Sequence, residues 1–484
     1  MKYRDSRVVA AFLALFCLAC TLISCSGGGD KFREPRSEAD LTGLTIACTN
    51  GNYYHVKFSK RADVKIFAAG SEADAVQAVR QGIADVYVGD EVAISPEDQK
   101  RLGMKLAFRG KETFDVAFAL RKGDDALRQQ LDAFLAAAPI AEIIDYWEKG
   151  APAVEEPAYE IVPDAAPLRC ITCVNLAPVS YPGDGGAWMG MDPDILRRFA
   201  HAIGRPFDMK FQDLGSAIIA LQTGQADLIS ACLFVTEERK QSVDFSNPYY
   251  ACRPGYFIKD RANLGRVGFG ERLRRNLIVD NRWKMIVDGL WMTLRITFFS
   301  ILLGTLLGAG VCALRRSRRG WMRRLAAIYG YLLNGTPALV MLLIMYYIVF
   351  AGSAVGAPLV AIFTFSLFFS SASGSIFDNA ISTVPRGQTE AGLSLGFTPL
   401  RTFTGIVFPQ ALKRGLPLYT SECVSLLKST SIVGYIAIQD LTRASDFIRG
   451  RTFDALIPLL IVTLLYFLIA WVIRRLLKLF LIKK

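Results

Sequence analysis

Residues 325–377 contain no Asp, Glu, Lys or Arg. A helical bilayer crossing takes about 20 apolar residues, so this run is long enough to cross twice. Residues 352–358, Gly-Ser-Ala-Val-Gly-Ala-Pro, supply a turn inside it. Residues 296–314 and 455–473 are also free of charge, and each suits one span. A weaker stretch, residues 416–438, carries Glu422 and Lys428. These runs predict an all-α membrane domain of about five transmembrane helices over residues 287–484. Arg315, Arg316, Arg318, Arg319, Arg323 and Arg324 follow the first span, and Arg474, Arg475, Lys478, Lys483 and Lys484 follow the last. Positive charge collects on the cytosolic side, so both ends, including the C-terminus, belong there. One segment dissents: Glu271, Arg272, Arg274, Arg275, Arg282 and Lys284 precede the first span on the side that should be poor in charge. Residues 261–286 therefore read as a juxtamembrane segment lying on lipid headgroups.

Residues 26–286 are different in kind, alternating short strand-like and amphipathic helical patterns with no uncharged run of spanning length. The chain is 52% hydrophobic, high for a soluble domain, yet 21% charged, too much for a chain that is membrane throughout; an α/β half and an apolar half share it. The net charge of +12 sits beside the spans, where it reports orientation, so no nucleic-acid partner is expected. His55 and His201 are the only histidines and lie far apart, which argues against a histidine-based metal site or catalytic triad. Cys170 and Cys173 fall in a strand-like run where an offset of three points them to opposite faces, which favours buried apolar roles over a metal clip or disulfide. No metal ligand is assigned. The basic MKYRDSR head and the apolar stretch after it have the form of an export signal covering residues 1–25. Leu22-Ile23-Ser24-Cys25 resembles a bacterial lipobox, implying lipid attachment at Cys25 and a tether over residues 26–40; an uncleaved anchor helix is the alternative. On either reading the α/β half is exported.

The segment between the third and fourth predicted spans, residues 382–409, is polar, helix-forming and cytosolic. Read plainly, it is an ordinary loop. Its Glu390, Ala391, Gly392 and Gly396, followed after nine residues by Ile406 and then Pro409, resemble the EAA loop of ABC importer membrane subunits. Gly392 stands where the family usually has a second alanine. Asn334-Gly335-Thr336-Pro337 and residues 422–431 are similar to segments of the polar amino-acid permeases, so the resemblance implies an ABC type I importer fold. It also implies that Glu390 through Gly396 couple to an ABC ATPase subunit. The chain holds no G-x-x-x-x-G-K-[ST], so no cofactor is assigned to it, and ATP and Mg would sit on that partner. Glu422 and Lys428 are costly in lipid; they read either as translocation-path residues or as a buried packing pair.

Residues 78–86 and 220–228 repeat one pattern: a helix end, a glycine and an entering strand through Asp85 or Asp227. The repeat implies two similar lobes. They resemble an amino-acid-type periplasmic solute-binding domain whose halves are exchanged. Residues 41–150 resemble the family's second part and residues 168–260 its first, joined by a Pro-rich linker over residues 151–167. A circularly permuted two-lobed α/β domain accommodates this order, because chain termini often lie close together. On this reading one lobe hangs from the tether at Cys25 and the other passes through residues 256–258 into the first span. The resemblance gives Arg239 to the carboxylate of a zwitterionic ligand and Asp90 to its ammonium, with Asn52, Tyr53, Thr236 and Asp192 as further binding positions. Leu176 stands where an aromatic is usual and Phe234 where a small hydroxyl is usual, so the aromatic lid moves to Phe234 or Tyr181, or the ligand is not a standard α-amino acid.

The reading is a non-enzymatic subunit of a bacterial inner-membrane importer, with its receptor domain outside, its permease as a homodimer and a polar amino acid as substrate. A ligand-gated channel or a membrane-tethered sensor would also join a two-lobed receptor to a few spans. The first lacks a TVGYG-like filter here and gives a coupling loop no purpose, and the second would need a kinase or a long coiled-coil output.

Overall fold

The computed structural model describes residues 34–156, 162, 164–183, 187–230, 232–260, 268–351, 353 and 355–482; Cys25, the export signal and part of the linker lie outside them. Five strands form the first sheet in the order β2-β1-β3-β14-β4: β1 Thr45–Thr49, β2 Lys65–Ala69, β3 Val86–Asp90, β4 Met104–Arg109 and β14 Pro254–Lys259. Strand β1 runs parallel to β2 and β3, while β14 is antiparallel to β3 and β4. The second sheet repeats the plan as β10-β7-β11-β6-β12, from β6 Ala119–Leu120, β7 Leu168–Thr172, β10 Phe207–Phe211, β11 Leu228–Ser230 and β12 Asp244–Phe245. Its fourth strand, β6, is likewise the antiparallel one, and it likewise arrives from the other part of the chain. Between the lobes, β5 Phe114–Val116 pairs with β13 Tyr250–Cys252, so two antiparallel segments make the hinge. A short hairpin, β8 Tyr181–Pro182 with β9 Trp188–Met189, completes the strands.

The sequence repeat is the joint that starts each lobe. The helix Glu72–Gln81 ends at Gly82, φ 78°, and the helix Leu214–Gln222 is followed by Gly224, φ 76°. Both glycines occupy the left-handed region that costs a side chain about 1 kcal/mol or more. The aspartate just beyond does one job in both lobes. Asp85 Oδ2 accepts from the Thr45 amide at 2.7 Å and Asp227 Oδ2 from the Arg169 amide at 2.9 Å, pinning β1 in one sheet and β7 in the other. Both faces of the first sheet are covered: Ile46, Val88, Phe58 and Tyr256 meet on one, and Ala47, Val79, Tyr87 and Phe257 on the other.

The structure corrects how the lobes divide the chain. The helices Asp125–Ala137 and Ile140–Lys149 pack into the second lobe, where Leu127, Leu131 and Ile143 join Leu168, Ile195 and Phe199. Strand β14 crosses the hinge and fills the slot between β3 and β4. Residues 256–258, which lead toward the membrane, therefore belong to the same lobe as the N-terminal strand. The expectation that two lobes carry one tether each fails, because β14 completes the first sheet.

Among the described residues three helices are long and apolar enough to cross a membrane: Val279–Arg315, Ala357–Ser382 and Leu456–Leu479. Gly320–Gly335 and Ala338–Val349 form a fourth candidate, bent by 103° at Thr336-Pro337, where Pro337 can give no helical amide. The helix Phe408–Ser429, which holds most of the weak predicted span, carries Lys413, Arg414, Glu422 and Lys428 and does not pass that test. The first two spans pack through small residues. A Cβ on Gly308 would lie 2.1 Å from Ser373 Oγ, and one on Gly374 would lie 2.8 Å from Val311. Such close backbone approach is what holds helices together when apolar burial gives no advantage over lipid.

Candidate functional site

A cavity of about 620 Å³ opens between the lobes. From the first lobe, Asp90 ends β3 and accepts from the Tyr54 hydroxyl at 2.7 Å. Burial pushes the Asp90 carboxyl up from its ordinary range, and the Tyr54 hydrogen bond opposes that. Asn52 lines the cavity while capping the helix Tyr53–Ser59, its Oδ1 accepting from the His55 amide at 2.8 Å. From the second lobe comes Arg239, on the one-turn helix Glu237–Lys240, its Nη1 donating to the Phe234 carbonyl at 3.1 Å. A guanidinium and a carboxylate thus enter one cavity from different lobes. Phe234 is a wall of this cavity rather than a lid: it is 3% exposed and stacks on Phe114 at 4.8 Å, with Tyr53 at 5.5 Å and Tyr54 at 5.9 Å. Leu176 lines the cavity as well, but Tyr181 does not; Arg451 covers its ring at 3.7 Å.

Two expected positions stand behind the site. Thr236 Oγ1 accepts from the Arg239 amide at 3.3 Å, so it braces the turn that carries the guanidinium. Asp192 is fully buried under the second sheet, accepting from Ser230 Oγ and the Tyr249 hydroxyl at 2.6 Å each. Burial pushes its carboxyl from an ordinary 3.8 up to about 6. An acid whose pKa is raised in the folded state binds its proton more tightly there, so stability is greatest below pH 4 and is lost as pH rises toward 6. Melting of the full chain should therefore show Asp192→Asn gaining on the parent by about 3 kcal/mol between those limits. A gap that does not change with pH would refute the assignment.

Other wall residues carried no sequence signal. Glu72, at the start of its helix, faces the cavity, and burial together with the neighbouring Asp90 raises its carboxyl to about 8. The third wall comes from the membrane domain. The helix Leu441–Thr452 contributes Arg443, Asp446, Phe447, Arg449 and Gly450 to the cavity. It grips both lobes: Arg449 pairs with Asp74 of the first at 3.1 Å, and Asn175 Nδ2 of the second donates to the Phe447 carbonyl at 3.0 Å. Phe447 also meets the rings of Trp188 and Phe211 edge-on at 5.6 and 5.2 Å.

At the opposite end of the membrane domain, the helix Arg386–Ser394 exposes Glu390 and Ala391 and buries Gly392. Gly396 comes next with φ 84°, and the Phe397 amide closes back on the Gly392 carbonyl at 3.1 Å. Ile406 is half-buried against Gly392, and Pro409 stands in the first turn of the next helix, Phe408–Ser429. Around this turn Leu393, Leu395, Phe397, Leu400 and Phe403 are exposed. Glu422 is half-buried and Lys428 exposed; among the described residues they do not form an ion pair.

Comparison with known proteins decides the family. The chain is 32% identical over 185 residues to the probable amino-acid ABC transporter permease protein YckA of Bacillus subtilis, covering 38% of this chain and 82% of that one. The chain belongs to the amino-acid ABC transporter permeases. The permease is also 29% identical over 218 residues to the L-cystine transport system permease protein TcyB of the same organism, covering 45% and 92% of the two chains. A profile for bacterial extracellular solute-binding proteins, family 3, matches its residues 168–398. A crystal structure of an amino acid ABC transporter with histidines aligns at 29% identity over 44% of this chain and 98% of that one, with TM-score 0.39. The permease is therefore a transport subunit rather than an enzyme, with a solute-binding domain fused to it, and the channel and sensor readings fall away.

Proposed function

We propose that this permease captures a polar amino acid or similar small zwitterion outside the bacterial inner membrane and passes it inward through its own spans. A separate ATPase subunit, carrying ATP and Mg, drives the transfer. The observation that carries the reading is the meeting of Arg239 and Asp90 from opposite lobes in one cavity walled by a membrane-domain helix. Arg239 offers the planar fork suited to a carboxylate, Asp90 an acceptor for an ammonium, and lobe closure completes both pairs at once. Five crossings, counting the bent pair and the helix Phe408–Ser429, put the Leu441–Thr452 helix outside with the receptor and the Glu390 turn inside. Two copies of the chain with two ATPases make the simplest assembly. The strand order supports a permuted receptor domain, and a lipid at Cys25 would add a second tether to the lobe already anchored by β14.

In proteoliposomes containing the permease and its ATPase, labelled amino acid should accumulate only with ATP on the ATPase side. Uphill uptake by the permease alone would overturn the proposal. The exposed Leu395 and Leu400, 75% and 73% accessible, form the apolar centre of the surface offered to the ATPase. Leu395→Asp with Leu400→Asp should lower ATPase copurification about tenfold or more while leaving amino-acid affinity unchanged. Full copurification would remove this surface from the interface.

A further inference from the structure

A second cavity, about 420 Å³, lies where the first lobe meets the membrane domain, and four arginines line it: Arg80, Arg101, Arg272 and Arg275. They come from three separate stretches of chain, so helical periodicity does not account for their meeting. One carboxylate, Asp454, shares the lining, and it is taken up by Arg272 at 2.8 and 2.5 Å. Arg101 is held by Asp98 and donates its Nη1 to the Thr452 carbonyl at 2.9 Å. Arg80 has only neutral acceptors, the Leu102 carbonyl and Gln77 Oε1, each at 3.0 Å. The Arg275 guanidinium makes no hydrogen bond or ion pair among the described residues, although it is half-buried. Burial, and then the neighbouring guanidiniums, make the charged forms of Arg80 and Arg275 harder to hold. Guanidiniums stay protonated regardless, so the cavity keeps an uncompensated positive charge that a bound anion would relieve.

Its depth can be read from the chain. Arg275 lies just before the span Val279–Arg315 and Asp454 just before the span Leu456–Leu479, which places the cavity at the ends of two spans. Phe269 and Ile278, flanking Arg272 and Arg275 in the chain, and Trp283 and Trp291 at the start of the span are exposed, the apolar and aromatic residues expected where lipid headgroups begin. With the receptor outside, as proposed above, these arginines lie at the outer leaflet.

We propose that this cavity binds a phosphate group, that of an anionic phospholipid headgroup in the outer leaflet, and so ties the first lobe to the membrane surface. Planar guanidiniums take phosphate oxygens in pairs, and two of the four here, Arg80 and Arg275, form no ion pair with a carboxylate among the described residues, although Asp98, Glu97 and Glu271 lie near Arg275. Full-length permease in nanodiscs of phosphatidylcholine with added phosphatidylglycerol should retain phosphatidylglycerol through detergent delipidation, read by native mass spectrometry. Arg80→Gln with Arg275→Gln should lower that retention about tenfold, Arg80→Lys with Arg275→Lys should restore part of it, and Arg318→Gln with Arg319→Gln should leave it unchanged. Melting curves of each variant show whether it is folded. A parallel arm in phosphatidylcholine alone adds inorganic phosphate. Stabilisation there that Arg80→Gln with Arg275→Gln abolishes, without lipid retention, would overturn the lipid assignment in favour of a free anion. Equal lipid retention by parent and double glutamine variant, with no phosphate effect, would overturn the site itself.

Discussion

Arg239→Ala should lower the affinity of the full-length permease for its amino acid by about a hundredfold or more in calorimetry. Removing one partner of a desolvated, hydrogen-bonded charge pair costs about 2–5 kcal/mol, because the remaining charge is left without its counterpart. At about 1.4 kcal/mol per factor of ten, this spans from tens to thousands in the dissociation constant. Arg239 is braced twice, by its bond to the Phe234 carbonyl and by Thr236 under its amide, so the guanidinium is held in place before ligand arrives. Arg239→Lys keeps the charge but loses the fork and should fall between parent and alanine. Lys240→Ala is the control one position along: Lys240 pairs with the exposed Glu237 and does not line the cavity, so affinity should not move. Unchanged affinity on Arg239→Ala would remove the carboxylate role and leave a ligand held by Asp90 and the aromatic wall alone.

Much of this site was legible because it depends on short-range patterning. The repeat that ends in Asp85 and Asp227 predicted two lobes, and both aspartates do the same work in them. Asp90 and Arg239 were given by the resemblance of their flanking motifs to the solute-binding family, and the structure brings them into one cavity. The same resemblance gave Asp192 as a binding position beside Asp90. What separates them is a buried bond to Ser230 and another to Tyr249, each from a distant stretch of chain. The Leu441–Thr452 wall was illegible for a related reason: nothing in its own residues marks its arginines and Asp446 as a wall, and only docking turns them toward the lobes. The attachment of β14 was missed because a strand's sheet partners are not written in its own residues; β3 and β4 lie far away in sequence.

That attachment has a mechanical consequence. Strand β14 is the last strand of the first lobe before the spans, while the second lobe rests directly on the membrane domain: Gln225 Nε2 donates to the Tyr346 carbonyl at 2.6 Å and the Tyr347 hydroxyl to the Ser216 carbonyl at 3.3 Å. The Leu441–Thr452 helix, held by Asp74 on one side and Asn175 on the other, cannot keep both contacts at every lobe angle. On the proposed import cycle, substrate capture would then displace the membrane domain, as expected for rigid bodies moving about packed elements.

The inner end of that pathway gives the second large effect: Gly392→Leu should abolish ATP-driven uptake while leaving amino-acid affinity at the parent value. A Cβ at Gly392 would lie 2.6 Å from Thr402 Cγ2 and 3.0 Å from Ile406 Cδ1, closer than carbon atoms pack. Thr402 is 1% exposed, so it has little room to retreat. Gly392 is thus not a neutral exchange for the family's alanine; it lets the Glu390 helix lie directly on the turn carrying Thr402 and Ile406. Overpacking of this kind costs about 1–3 kcal/mol and shifts backbone. A leucine there should push Glu390 and Ala391 out of line with the ATPase surface. Gly392→Ala, the residue usual in the family, should itself reduce uptake about tenfold, and Thr402→Ser, which removes only the crowding methyl, should restore it. The readout is the ratio of solute imported to ATP hydrolysed, since misaligned coupling lowers transport even where the ATPase still turns over. Parent-level uptake by Gly392→Leu, or an alanine variant that Thr402→Ser does not improve, would show that this contact does not carry the stroke.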